Sequence, residues 1–229
     1  MTEEPYRWLE AIANRREYVQ EQLRGGRPGF AVSGASGILL AAPGSGGTKV
    51  FEIHDRIAMV AMGHPADIER VRQILIDASH VESFTRSAAD VSLARLVASS
   101  LAPVLKQNFE QLFSPPVLVE LLLAEVGGIR DTFVRVRPDG SYATSQGPLG
   151  LVTTEQSRES TLILELATTM PRNLERSTAF SLLSEVEKRL KSDKRAALVG
   201  AVEGEEQDCL EIAFLRRATE ANRPTFELL

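Results

Sequence analysis

Apolar residues recur along this chain at two periods. From Tyr6 to Leu23 a stripe of Trp8, Leu9, Ile12, Tyr18 and Val19 is spaced as in a helix, and the "RGGRPG" run, Arg24 to Gly29, stops it. The period then shortens to that of strands in "FAVS", "GILLAA", "KVFEIH" and "IAMVAM", which are separated by "GAS", "PGSGG" and "DR". Helical spacing returns at Pro65, with Ile68, Val71, Ile74 and Leu75 on one face. The segment "SAAD", Ser87 to Asp90, reads as a capping box opening a second helix that carries Val91, Leu93, Leu96, Val97, Leu101 and Leu105. Pro103 is expected to kink that helix, and "SPP", Ser114 to Pro116, to end it.

The scheme then repeats. "VLVELLLAEV", "TFVRVR" and "SYATS" are strand-like, with "PDG", Pro138 to Gly140, as a hairpin turn between the last two. Helical patterns follow around Ser157 to Met170 and Asn173 to Lys191, and "LEIAFLRRA" reads as a closing strand. Grouped strands followed by grouped helices are not the alternation of a parallel sheet. They indicate an α+β fold of antiparallel hairpins whose apolar faces need cover. A four-layer αββα sandwich, helices outside and two sheets inside, satisfies both halves. No linker interrupts the pattern, so residues 1–229 are expected to form a single domain: an N-terminal helix and its approach over residues 1–26, then the sandwich over 27–229.

The bulk properties narrow the field. A chain of 229 residues buries about 70–75% of its unfolded surface. The net charge of −5 argues against nucleic acid and anionic membranes as partners. The single cysteine, Cys209, rules out an internal disulfide and a cysteine-rich metal site, and reads as a buried thiol. "MTEEPYRWLEA" lacks the apolar core of a secretory signal, and the longest apolar runs are too short and too acidic to cross a membrane. A cytoplasmic location is the expectation.

Few residues invite chemistry. The glycine-rich "PGSGGTK", Pro43 to Lys49, has Gly-Thr-Lys where a phosphate loop needs Gly-Lys-Ser/Thr, and a strand follows instead of a helix. It reads as a hairpin turn. His54, His64 and His80 have no metal-ligand spacing. No G-x-S-x-G nucleophile elbow is present. No cofactor is expected.

Taken together, "REYVQEQLRGG" (Arg16 to Gly26), "GFAVSGASGILLAA", "TKVFEIHDRIAMVAMGHPAD" (Thr48 to Asp67) and "EVGGIRDTFVRVRPDGSY" resemble the proteasome family of N-terminal-nucleophile hydrolase folds. The nearer resemblance is to the α-type subunits of archaeal and actinobacterial particles, in which a helix precedes the first strand. The four-layer sandwich is that family's fold.

The resemblance implies one of two roles. A catalytic β-type subunit uses an N-terminal threonine whose own amine is the base. The corresponding place here falls at Arg27-Pro28, the supporting acid falls at Pro43, and the late serine-bearing turn is replaced by "GEEQD", Gly204 to Asp208. Only the lysine remains, as Lys49. The resemblance therefore implies a non-catalytic α-type subunit, with no catalytic residue of its own. It would form a ring of identical copies, expected to be a heptamer, stacked on β-type peptidase subunits. By the same analogy Lys49, Glu17, Gly26 and Gly63 would line a pocket for the C-terminal tails of an ATPase or activator ring, where an ammonium suits a carboxylate. Pro5, Tyr6 and Arg7 would stand in the place of the gate. Two alternatives stay open: a divergent N-terminal-nucleophile hydrolase cut to expose a residue such as Ser33, and a stand-alone scaffold ring.

Overall fold

The computed structural model describes residues 4–24, 26, 29–34, 36–44, 47–146, 149–152, 209–217 and 226–228. Among its described side chains helix α1 (Glu4–Leu23) buries only Val19 and Leu23 fully, which pack with Phe109 and Leu118. Strands β1 (Gly29–Gly34) and β2 (Gly37–Gly44) form the first hairpin, and β3 (Val50–His54) and β4 (Ile57–Gly63) the second. Helix α2 (Pro65–Thr85) follows, with Pro65 in its first turn, where a missing N–H costs nothing. The His64 imidazole accepts a hydrogen bond from the Ala66 N–H at 3.3 Å and serves as its cap.

The next segment departs from the expected single kinked helix. Ala88–Asp90 is a 3-10 turn, α3 (Leu93–Arg95) is one turn long, Leu96–Leu101 is π-helical, and α4 (Ala102–Glu110) completes the run. Ser87 caps no backbone N–H; its hydroxyl bonds the Asp90 carboxylate at 2.9 Å instead. Pro103 accounts for the π turn. Proline has no N–H to give, and its ring would strike the carbonyl four residues back, so the preceding turn widens to admit it.

Strands β5 (Val119–Glu125), β6 (Thr132–Val136) and β7 (Tyr142–Ser145) then form a meander. The turn between β6 and β7 fits its sequence. Gly140 donates to the Arg137 carbonyl at 3.0 Å, Arg137 donates to the Ser141 carbonyl at 2.8 Å, and Gly140 takes a φ of 78°. This is a type I turn closed by a left-handed glycine. Strands β8 (Leu149–Val152), β9 (Cys209–Arg216) and β10 (Phe226–Leu228) complete the described elements. The expected helices at 157–170 and 173–191 lie outside the described residues.

The described strands form two antiparallel sheets of five, in the orders β10-β9-β2-β1-β8 and β3-β4-β5-β6-β7. Residue parity decides where each side chain goes. Ala58, Val60, Met62, Leu122, Ala124 and Phe133 meet Ala31, Ile38, Leu40, Ala213 and Leu215 between the sheets. Ile57, Met59, Ala61, Leu121, Leu123 and Val134 face the other way, against Val71 and Leu75 of α2 and Leu96, Leu101 and Leu105 beyond it. Strands β4 and β5 are therefore apolar on both faces, which is why "IAMVAM" and "LLLA" read as continuous runs. Phe30, Val32, Leu39 and Phe214, on the outward face of the first sheet, are also buried.

Candidate functional site

Three of the four residues assigned to a docking pocket meet at one end of the sandwich, around the last residues of β4. Lys49, half-buried at the start of β3, accepts from the Ala61 N–H at 2.9 Å. Its own N–H donates to the Glu211 carboxylate of β9 at 2.6 Å, joining the two sheets at this end. Gly63 ends β4 with a φ of 142°, and a Cβ there would lie 2.0 Å from the Leu118 carbonyl oxygen. That oxygen accepts from the His64 N–H at 2.8 Å, while the Asp67 carboxylate accepts from the Leu118 N–H at 2.8 Å. Only glycine permits so close a crossing. A Cβ on Gly26 would fall 2.6 Å from the buried Met62 side chain, so Gly26 lies against the same strand end. Glu17 is exposed on α1, and Pro5, Tyr6 and Arg7 lie in that helix's opening turn rather than ahead of it. Arg27, Pro28 and residues 204–208 fall outside the described residues. Pro43 stands in β2, in register with Leu210.

Helix α1 covers the neighbouring corner. Between it and the β6–β7 hairpin lies a cavity of about 100 Å³, lined on one side by Arg16, Val19 and Leu23 and on the other by Glu120, Arg135 and Asp139. The Arg135 Nε donates to the Glu120 carboxylate at 2.5 Å, and Arg16 reaches Asp139 at 3.4 Å. Burial pushes the Glu120 carboxyl above its usual range, more than Arg135 pulls it down. A folded-state value above the unfolded one means that the Glu120 contribution to stability is complete below the ordinary carboxylate pKa. It is lost as pH rises through the raised value. Glu120→Gln is therefore expected to flatten the fall in melting temperature above about pH 4.3, as thermal melts across pH of the two proteins would register.

A polar cluster absent from the sequence expectations sits at the opposite end, by the β1–β2 turn. Asp131, just ahead of β6 and 4% exposed, accepts two bonds from the Arg217 guanidinium at 3.0 and 2.9 Å. It also accepts from the Gly127 N–H at 3.1 Å and from the Ser33 hydroxyl. Arg217 bonds the Gly127 carbonyl as well, and its N–H donates to the Ser36 carbonyl at 2.8 Å. One buried carboxylate thus ties β1, the β5–β6 loop and the end of β9. The Gly127-Gly128 pair was the available signal, since a Cβ on Gly127 would lie 1.9 Å from the Arg130 carbonyl oxygen. Ser33 is an ordinary β1 residue paired with Ile38, and cleavage ahead of it would remove the part of β1 that pairs with β8. The carboxylate beside it already serves a guanidinium and a backbone N–H, which suits a brace and not a general base.

Among the described residues no group of three or more His, Cys, Asp or Glu could hold a metal ion, and no helix is long and apolar enough to cross a membrane.

No family model matches the chain. Individual proteins do. It is 32% identical over 137 residues to the proteasome subunit alpha of Actinosynnema mirum, covering 57% of this chain and 50% of that protein. It is 29% identical over 140 residues to the proteasome subunit alpha of Acidothermus cellulolyticus, covering 59% of each. With the subunit alpha of Paenarthrobacter aurescens it shares 32% over 143 residues, again 59% of each. The chain thus spans between about half and three fifths of the length of the curated relatives it matches. Over these spans the chain is similar to proteasome α-type subunits.

Proposed function

We propose that this chain is a non-catalytic α-type subunit of a proteasome core particle. It forms an outer ring of identical copies, expected to be seven, that stacks on β-type peptidase subunits and restricts entry to them. Residues 1–229 act as one domain, a four-layer αββα sandwich. The cytoplasm is its place of work. The observation that carries this reading is the end of the sandwich at Lys49. There Gly26, Gly63 and Lys49 lie around the last residues of β4, at positions where the sequence resembles α-type subunits. The sequence puts Arg27-Pro28 where a nucleophile would start.

Lys49, Gly26, Gly63 and Glu17 are assigned to the pocket that takes the C-terminal carboxylate of an activator tail, and the opening turn of α1, Pro5 to Arg7, to the gate. A hydrogen bond to a charged group is worth about 1.5–3 kcal/mol. Lys49→Ala is therefore expected to weaken binding of an activator-tail peptide to the assembled particle by roughly tenfold or more, with Lys49→Arg retaining part of the affinity. Equal affinity in Lys49→Ala would remove the lysine from the site. The competing hydrolase reading is tested by intact mass: a chain shortened from its amino end, with peptidase activity of its own, would favour it.

A further inference from the structure

We draw no further inference here: the strongest candidate, the cavity of about 100 Å³ between α1 and the β6–β7 hairpin, belongs to the site already described, and its two acids, Glu120 and Asp139, are already held by Arg135 and Arg16.

Discussion

Asp131→Ala is expected to destabilise the chain by about 3–5 kcal/mol, the cost of leaving a buried ion pair half-made. The Asp131 side chain is 1% exposed and Arg217 27%, so the guanidinium left behind keeps a little water. The lower end of that range is therefore the expectation. The loss is not confined to the pair, because Ser33 and the Gly127 N–H lose their acceptor with it. Ser33→Ala removes only one neutral donor to the same carboxylate, and about 1 kcal/mol is expected from it. Chemical denaturation of the two variants separates the cases. A loss of several kcal/mol against one near 1 makes Asp131 the hub of the brace, whereas near-equal small losses would show that the β5–β6 loop is held by its packing alone. Against a typical total of 5–15 kcal/mol, the first change consumes much of the available stability.

Gly63→Ala ranks beside it for a different reason. At a φ of 142° an L side chain is strained, and the new Cβ would sit 2.0 Å from the Leu118 carbonyl oxygen. The backbone conformation alone costs about 1–3 kcal/mol. Relief would require β5 to back away, yet Leu118 is held from both sides, by the His64 N–H and by the Asp67 carboxylate. Retreat there would also break the first turn of α2. Total losses of roughly 3 kcal/mol or more are expected, together with weaker binding of an activator tail if the proposed pocket at Lys49 holds. Gly47→Ala, in an exposed turn where a Cβ meets nothing within 4 Å, is the control and is expected to be silent. A Gly63→Ala protein as stable as Gly47→Ala would mean that the crossing at Leu118 can open.

Much of this architecture was legible in the residue pattern because the physics is local. Strands β1 to β7 and β9 carry alternating or continuous apolar runs bounded by glycine, proline or aspartate, and the Pro138-Asp139-Gly140 turn has the residues that its dihedral angles demand. Short β8 and β10 were not legible, since four and three residues cannot establish a period. The segment from Ser87 misled for a comparable reason: its apolar spacing is helical, but where α, 3-10 and π turns alternate is set by Pro103 and by Ser87 turning to Asp90. The site divides the same way. Gly26, Lys49 and Gly63 lie within one short span of sequence, and two hairpins suffice to bring them together. The Ser33, Asp131 and Arg217 brace joins residues 98 and 86 positions apart, which no local pattern announces.

The most direct test of the account is native mass spectrometry of the chain co-expressed with a proteasome β-type subunit from the same source, with peptide hydrolysis followed on the same sample. The expected result is a ring-based particle containing this chain at its full mass, with hydrolysis that requires the β-type subunit. A chain that remains monomeric beside the β-type subunit, or one that arrives shortened and hydrolyses peptides alone, would contradict it.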